Sequence, residues 1–247
     1  MAESLQDKVV IVTGASSGVG AATATELVAA GARVVAAARR LDRLEELAKR
    51  LDARDDRFLA VQCDIRDERD VERLVERALG WGGGLDALVN NAGLSRGAKL
   101  ESATSDDIRL MLDTNVFALA NLTRLAVPAL RKSRGSLVNV SSTVVKALIP
   151  GSSVYSATKA AVAAFSEVMR KELCADDVRV IDIYPGMVDT EFFDHFDEQK
   201  KKSFDQMRAA MEVLKGTDVA EAIVFALSRP SRVSLNEIVI RPTMQSL

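Results

Sequence analysis

Residues 9–20 read VVIVTGASSGVG, and this stretch decides the fold. A short β-branched run enters a glycine-rich turn, and the alanine-rich residues 19–31 that follow are typical of a helix. The turn residues that can face a ligand are Gly14, Ser16, Ser17, Gly18, Val19 and Gly20. Glycines let a backbone approach a pyrophosphate, whose charge is favoured at a helix N-terminus. Three glycines can also simply make a turn, but their place between strand and helix predicts a dinucleotide site.

Short apolar runs and longer amphipathic patterns alternate along the rest of the chain. The predicted strands are residues 9–13, 33–38, 58–63, 87–91, 136–141, 179–184 and 236–240. Most of these runs are continuously hydrophobic, which is typical of parallel strands covered on both faces. Between them lie helical patterns such as LDRLEELAKRL at 41–51. We therefore expect residues 1–247 to form one α/β domain, a doubly wound Rossmann fold with a seven-stranded parallel sheet.

Residues 191–215, called the lid segment below, interrupt this alternation. They are helical in pattern, charged and rich in aromatic residues, and they follow a strand directly. Such a segment either covers a ligand crevice as a lid or is an ordinary surface excursion. Phe192, Phe193 and Phe196 favour an apolar underside. The single histidine, His195, lies among them, and a loop histidine is more often solvated than a substrate contact.

Composition excludes several classes of function. A net charge of -2 gives no basic field for nucleic acid or anionic lipid. No apolar run approaches the roughly 20 residues that span a bilayer, and the first residues, MAESLQDK, lack the features of a signal peptide. Cys63 and Cys174 are far apart and are expected to be core thiols in a reducing compartment. No ligand spacing indicates a metal. We expect a soluble, cytoplasmic protein.

The end of the second strand indicates which dinucleotide binds. A site for NAD usually carries an acid there, which holds the ribose 2′-hydroxyl. Here the stretch is AAARR, with Ala38 in the acid's place and Arg39 and Arg40 after it. Guanidinium groups suit a 2′-phosphate, so we predict NADP(H) as the cofactor. The alternative is a solvated arginine pair at a helix start, where the helix dipole disfavours cations.

Six motifs occur in one order along the chain. They are TGASSGVG at 13–20, NNAG at 90–93, Asn115 in DTNVFA, Ser142 in VNVSS, YSATK at 155–159 and PGMVDT at 185–190. Together they resemble the short-chain dehydrogenase/reductase family, over a stretch from about residue 6 to the end. Each motif alone is weak, whereas six in register are specific.

The resemblance implies a role for each matched residue. Tyr155 would be the acid–base residue, Ser142 its hydroxyl partner and Lys159 its electrostatic helper, while Asn115 would hold a water that links Lys159 to solvent. The cofactor residues would be Gly14, Ser16, Ser17, Gly18, Val19, Gly20, Arg39, Arg40, Asp64, Ile65, Asn91, Ala92, Gly93, Tyr155, Lys159, Pro185, Gly186, Val188 and Thr190.

The chain departs from the family's pattern at two places. The stretch TVVKA after Ser142 replaces a small residue and glycine in many relatives, which bears on the shape of the substrate pocket. Ser17 stands where several NADP-using members carry a base. The prediction of NADP(H) therefore rests on Arg39 and Arg40.

The pairing of Tyr155 with Lys159 has a physical purpose if the resemblance holds. Four residues apart on a helix, they share a face. A free tyrosine has a pKa near 10, and a nearby ammonium stabilises the phenolate. A drop of two or three pKa units needs roughly 3–4 kcal/mol. We therefore expect a lowered pKa, with Tyr155 as acid in reduction and base in oxidation. Alone, such a pair usually means packing and a solvated amine.

The substrate is indicated less sharply. The tail LNEIVIRPTMQ at 235–245 resembles the branch of serine/3-hydroxy-acid dehydrogenases and clavulanate-type ketoreductases. Arg96, Lys146 and Arg241 are available to anchor a carboxylate, although each is also a typical surface charge. An apolar lid suits an uncharged carbonyl or alcohol. The alternative function is an NADP(H)-binding regulator with little turnover, against which the complete Ser–Tyr–Lys set argues.

Other copies of the chain are the expected protein partner. Many members of the family that the chain resembles form tetramers through the helix after the tyrosine. The stretch AAVAAFSEVM at 160–169 has small apolar residues that allow helices to approach closely. We therefore expect a homo-oligomer, either a tetramer or a dimer.

Overall fold

The computed structural model describes residues 3–53, 56–96, 99–193, 196 and 198–246. Its strands are β1 (Val9–Thr13), β2 (Arg33–Ala38), β3 (Phe58–Gln62), β4 (Ala87–Asn90), β5 (Ser136–Val140), β6 (Arg179–Pro185), β7 (Val188–Asp189), β8 (Leu214–Lys215) and β9 (Glu237–Ile240). Seven of them form a parallel sheet in the order β3-β2-β1-β4-β5-β6-β9. The predicted fold class is confirmed, and the predicted strand ends differ from those observed by no more than one residue.

Helices cover both faces of this sheet. They are α1 (Gly18–Ala29), α2 (Leu41–Arg50), α3 (Glu68–Gly82), α4 (Ser105–Leu112), α5 (Ala118–Ser133), α6 (Val144–Ala147), α7 (Ser153–Leu173), α8 (Glu198–Ala210) and α9 (Gly216–Leu227). Val10 of β1 belongs to one core cluster with Leu27 and Ile223, and Ile11 belongs to the other with Leu74. Successive residues of β1 thus enter opposite layers, which is why its sequence is continuously apolar.

A hydroxyl group joins the two strands at which the strand order reverses. Thr13, the last residue of β1, accepts hydrogen bonds at Oγ1 from the backbone N–H groups of Asn91 and Ala92, both at 3.0 Å. The same oxygen donates to the Val89 carbonyl at 3.3 Å, and Asn91 Nδ2 donates to the Thr13 carbonyl at 2.9 Å. The ends of β1 and β4 are therefore held together beside the glycine-rich turn.

The turn after β1 needs glycine for two different reasons. Gly14 and Gly18 have φ values of +67° and +54°, in the left-handed region that side chains disfavour. Gly20 has an ordinary φ, but a Cβ there would lie 2.3 Å from the Gly14 carbonyl oxygen. The third glycine therefore serves the close packing of helix on turn.

The lid segment begins and ends on a small second sheet. β7 pairs in parallel with β8, with Val188 opposite Leu214. Between them lie a 3₁₀ turn at Glu191–Phe193 and α8. His195, which is predicted to lie in this segment, is outside the described residues. Within the described residues, no helix combines the length and hydropathy that a bilayer crossing requires.

The two cysteines differ in environment. Cys63 is buried, as expected, but Cys174 is exposed, so the expectation of a core thiol is wrong there. Cys174 begins a 3₁₀ turn immediately after α7, at Cys174–Asp176. Leu173, the last residue of α7, is still buried, so exposure begins with the turn that follows the helix.

Two buried threonines give a matched test of the junction between β1 and β4. Thr13→Val would leave two backbone N–H groups without their acceptor, and we expect a loss of about 2–4 kcal/mol in the free energy of unfolding. Thr23, on α1, is also buried, but its hydroxyl has no hydrogen-bond partner in the described structure. Thr23→Val should therefore leave stability unchanged or raise it by about 1 kcal/mol. Urea denaturation of both variants measures the difference, and equal losses would contradict it.

Candidate active site

A crevice of about 990 Å³ lies beyond the carboxyl ends of the central strands, where open α/β sheets bind ligands. Every predicted cofactor residue except Gly20 lines it. Gly20 instead packs against the Gly14 carbonyl and Asn91. Of the four predicted catalytic residues, Ser142, Tyr155 and Lys159 line the crevice, while Asn115 is buried behind its wall.

The phosphate end of the crevice is formed by the start of α1. No side chain caps this helix, and its first turn carries no acidic residue. Its N-terminal N–H groups and the positive end of its dipole are therefore available to an anion. Gly18 also packs closely on Thr190, since a Cβ on Gly18 would lie 2.9 Å from Thr190 Cγ2. This end of the crevice fits a pyrophosphate.

A cluster of arginines adjoins the phosphate turn. Arg40 donates from Nη2 to the hydroxyls of Ser16 and Ser17, both at 3.0 Å. Its Nη1 lies 3.0 Å from Glu191 Oε2, and Arg43 Nη1 lies 2.5 Å from Glu191 Oε1. The guanidinium of Arg39 also lines the crevice and makes no hydrogen bond or ion pair with the described residues. The site therefore has the cations that a 2′-phosphate requires.

Arg43 and Arg66 line the same end of the crevice, and the sequence prediction missed both. The spacing of Arg43 from Arg40, three residues along α2, was an available signal because it puts both on one face. Arg66 donates from Nη2 and Nε to the Asp64 carboxylate at 2.5 and 3.0 Å. These hydrogen bonds hold the pKa of Asp64 below its usual value. Asp64, one of the predicted cofactor residues, is thus already bonded within the protein.

Ser142, Tyr155 and Lys159 converge at the other end. Lys159 Nζ donates to the Val140 carbonyl at 2.6 Å and lies 6.0 Å from the centre of the Tyr155 ring. Ser142 Oγ accepts from the Val144 N–H at 3.2 Å, and the Ser142 hydroxyl acts to lower the pKa of the Tyr155 phenol. The end of β5 and the first turns of α7 therefore bring a hydroxyl, a phenol and an ammonium together.

Burial away from water is the main cause of the pKa shifts of Tyr155 and Lys159. Burial raises the pKa of Tyr155 to about 12, although its hydrogen bond with Ser142 acts in the opposite direction. Burial also lowers the pKa of Lys159 to about 8, with the charge of Asp182 opposing it. The expected lowering of the tyrosine pKa by Lys159 is therefore wrong for the protein alone. Desolvation of the phenolate is the largest cause of the shift, and Lys159, whose ammonium is bonded to the Val140 carbonyl, is not among the groups that shift the Tyr155 pKa.

The side chain of Asn115 joins α7 to the loop after β4 through hydrogen bonds. It lies in a π-helical turn at Asp113–Phe117, a feature that sequence periodicity did not predict and that is often found at functional sites. Its Oδ1 accepts from the Leu94 N–H at 2.9 Å, and its Nδ2 donates to the Leu94 carbonyl at 2.9 Å and to Thr158 Oγ1 at 3.0 Å. Both amide hydrogens are thus used by the protein. The water-holding role stays a prediction.

The walls around Tyr155 are largely apolar. The ring of Phe192 lies 5.6 Å from that of Tyr155, and Phe196 lies 6.3 Å from Phe192. Phe204 and Met207 of α8 also line this end. The side chains of Phe192 and Phe196 thus face the crevice, as the interpretation of residues 191–215 as a lid requires.

Of the three candidate carboxylate anchors, only Arg96 lines the crevice. Its Nε lies 3.4 Å from Asp107 Oδ1. Lys146 instead pairs with Glu237 at 3.4 Å, and Arg241 lies outside the crevice lining. In the part of the chain that the structure describes, no three His, Cys, Asp or Glu side chains gather as a metal site.

A row of polar side chains crosses the sheet beneath the catalytic residues. Asn90, Asn139 and Asp182 stand at one level on β4, β5 and β6. Asn90 Nδ2 donates to Asn139 Oδ1, and Asn139 Nδ2 donates to Ser166 Oγ of α7, both at 2.9 Å. Asp182 is only 2% exposed, and its carboxylate makes no hydrogen bond of ordinary geometry. Burial raises the pKa of Asp182 to about 7, although Lys159 opposes the shift.

Comparison with known proteins gives concordant matches. A family model described as short chain dehydrogenase matches residues 8–201. An uncharacterized oxidoreductase of Staphylococcus saprophyticus is 36% identical over 247 residues, covering 98% of this chain and 99% of the relative. The closed form of a serine dehydrogenase complexed with NADP+ superposes with a TM-score of 0.89 at 33% identity, covering 96% of each chain.

A second solved structure is similar over nearly the whole chain. It is a 3-ketoacyl-(acyl-carrier-protein) reductase from Brucella melitensis complexed with NADH. The TM-score is 0.86 at 30% identity, covering 96% of this chain and 98% of that one. The similar structures therefore include one complexed with NADP+ and one complexed with NADH.

The buried carboxyl of Asp182 gives a pH-dependent test of stability. Its folded-state pKa, raised to about 7 from 3.8, means that the folded protein keeps a proton that the unfolded chain releases. Its contribution to stability is therefore present below pH 4 and is lost as the pH rises towards 7. We expect Asp182→Asn to raise the free energy of unfolding at pH 8 by about 3–4 kcal/mol, and to give no gain at pH 4.

A neighbouring variant controls for the loss of local hydrogen bonding. Thr123→Val removes the hydroxyl to which Asn90 Nδ2 donates at 3.0 Å, but it removes no titrating group and no group that shifts the pKa of Asp182. Its effect on urea denaturation should therefore be the same at both pH values. An equal gain for Asp182→Asn at pH 4 and pH 8 would contradict the assignment of the pH dependence to this carboxyl.

Proposed function

Because this chain belongs to the short-chain dehydrogenase family of oxidoreductases, we propose that it transfers a hydride between NADP(H) and a small carbonyl or alcohol substrate. The observation that carries the proposal is the single crevice with two different ends. Arginines and a free helix N-terminus lie at one end, and Tyr155, Ser142 and Lys159 lie at the other under aromatic side chains. A binding protein with little turnover has no use for the second end.

The residues of the crevice fit NADP(H) by their chemistry. The start of α1 and its glycines would hold the pyrophosphate, and Arg39, Arg40 and Arg43 would hold the 2′-phosphate. Asn91, Ala92, Gly93 and the stretch from Pro185 to Thr190 line the remaining walls. When bound, the cofactor supplies or accepts the hydride and, in its oxidised form, adds a positive charge.

Tyr155 is the general acid and base in this proposal. Its raised pKa keeps the proton on the phenol at neutral pH, so that it is ready to protonate a substrate oxygen in the reduction. Ser142, which lines the same end of the crevice as Tyr155, donates to the same oxygen as negative charge develops there. In the oxidation the phenolate must form, and the ammonium of Lys159 is the protein's own group that stabilises it.

The substrate end favours a small, largely uncharged compound. Phe192, Phe196, Phe204 and Met207 provide an apolar wall, and the one carboxylate anchor in the crevice, Arg96, is already close to Asp107. One similar structure is named a serine dehydrogenase, which keeps a small hydroxy acid as the second candidate class. Arg96 is the residue that this class would use.

Assembly into a homo-oligomer and a cytoplasmic location stay predictions. The outer face of α7 supports the first of these. It exposes a stripe of alanines, Ala157, Ala160, Ala161 and Ala164. Small residues let the helix of a second copy approach closely, as in a symmetric dimer.

Tyr155→Phe tests the proton-transfer role. The variant keeps the ring but has no proton to give, so kcat with NADPH and a panel of carbonyl compounds should fall by roughly 10²–10⁴-fold. NADPH binding should stay within about threefold, since little is removed from the cofactor's walls. The chain's other tyrosine, Tyr184, is buried on β6, and Tyr184→Phe is the control that should keep most of the activity. Retention of more than a tenth of kcat in Tyr155→Phe would refute the role.

Cofactor preference tests the arginine end. We expect a higher kcat/KM with NADPH than with NADH in the wild type. Ala38→Asp combined with Arg39→Ser should reverse it, because it removes a cation and places a carboxylate where a 2′-phosphate would be repelled. The combined change should be roughly 10²-fold, since a charge-assisted hydrogen bond contributes about 1.5–3 kcal/mol. Arg50→Ser, at the exposed far end of α2, is the control that should change nothing. A wild type that prefers NADH would refute the proposal.

A further inference from the structure

Glu191 stands at the start of the lid segment and is bonded to two of the arginines at the phosphate end. We propose that Glu191 is a specificity-determining residue, whose carboxylate competes with the 2′-phosphate of NADP(H) for Arg40 and Arg43. The proposal rests on the proposed function, because it concerns how strongly the same crevice distinguishes NADPH from NADH. It predicts a wild-type preference for NADPH that is weaker than its arginines alone would give.

The contact geometry leaves each guanidinium partly committed. Glu191 Oε2 accepts a hydrogen bond from Arg40 Nη1 at 3.0 Å, and Glu191 Oε1 accepts one from Arg43 Nη1 at 2.5 Å. Arg40 also donates from Nη2 to the hydroxyls of Ser16 and Ser17 and from Nε to that of Ser16, at distances between 3.0 and 3.3 Å. A 2′-phosphate that binds to these two arginines must therefore compete with a carboxylate that already accepts one N–H hydrogen bond from each.

The chemistry of this competition has a definite sign. A phosphate monoester and a carboxylate are both anions, and both prefer the planar N–H groups of arginine. Glu191 therefore lowers the affinity for a 2′-phosphate twice, by occupying donors and by repelling a like charge. The side chains of Arg40, Arg43 and Glu191 are 38–45% exposed. Screening by water and salt thus limits the effect to several-fold rather than a thousand-fold.

Position along the chain makes Glu191 selective for this end of the cofactor. The preceding residue, Thr190, packs against Gly18 of the phosphate turn. The following residue, Phe192, has its ring 5.6 Å from that of Tyr155. The 3₁₀ turn that places Phe192 against Tyr155 therefore also places the Glu191 carboxylate against the arginines. NADH, which has no phosphate on the 2′-oxygen, offers no group for Glu191 to oppose.

Equilibrium binding of the two cofactors tests the proposal without relying on turnover. The dissociation constants of NADPH and NADH are measured by isothermal titration calorimetry for the wild type and Glu191→Gln, at about 50 and 500 mM salt. We expect Glu191→Gln to tighten NADPH binding about three- to tenfold and to change NADH binding less than twofold. The gain for NADPH should shrink at high salt.

A second glutamate serves as a matched control. Glu167 on α7 is likewise paired with two cations, Arg170 at 2.8 Å and Lys171 at 3.1 Å, but it does not line the crevice. Glu167→Gln makes the same change of charge and should leave both dissociation constants within twofold. Both substituted side chains are exposed, and circular dichroism checks that the variants are folded.

Three outcomes decide the matter separately from the proposed function. An unchanged NADPH affinity in Glu191→Gln overturns the proposal, and so does an equal gain for NADPH and NADH, which would point to the lid rather than the phosphate. A matching gain in Glu167→Gln also overturns it, because net charge alone would then suffice. A wild type without preference for NADPH contradicts the proposed cofactor, whereas a selective gain in Glu191→Gln would still support the competition.

Discussion

The hydroxyl of Thr13 is the contact on which the crevice depends. At the point where the strand order reverses, the helices after β1 and β4 leave in opposite directions, and the loops between them open a cleft. The Thr13 side chain bonds the backbone of Asn91 and Ala92 across that opening. It therefore fixes the distance between the glycine-rich turn on one side and the NNAG loop on the other, the two walls between which a dinucleotide must fit.

Desolvation is the constraint that this closure imposes on the chemistry. The apolar layers and the aromatic start of the lid segment remove water from the catalytic group, which raises the pKa of Tyr155 to about 12 and lowers that of Lys159 to about 8. Both shifts favour the neutral forms. The negative charge of Asp182, buried below, opposes the shift of Lys159. The pKa of Lys159 is thus set by two opposing effects, the removal of water, which lowers it, and the buried carboxylate of Asp182, which raises it.

The extent to which the sequence predicted the structure follows from the range of each interaction. Strands buried on both faces leave continuous apolar runs, so all seven strands of the main sheet were predicted within one residue. The order of the motifs also predicts a shared site for Tyr155, Ser142 and Lys159, and all three line the same crevice. The contact of Arg43 with Glu191 joins residues 148 positions apart, and no local pattern reports such a pair. The exposure of Cys174 depends on where α7 ends, and the apolar periodicity of a helix does not report the π-helical turn at Asn115.

The arginine end and the tyrosine end are physically connected through the lid segment. Glu191 binds the arginines of α2, and the next residue, Phe192, packs on Tyr155. The parallel pair of β7 and β8 closes the base of this segment. The contacts of Glu191 with the arginines and of Phe192 with Tyr155 are therefore made by neighbouring residues of one 3₁₀ turn. In the proposed function, recognition of the cofactor's 2′ position and exclusion of water from the proton donor would both depend on that short turn.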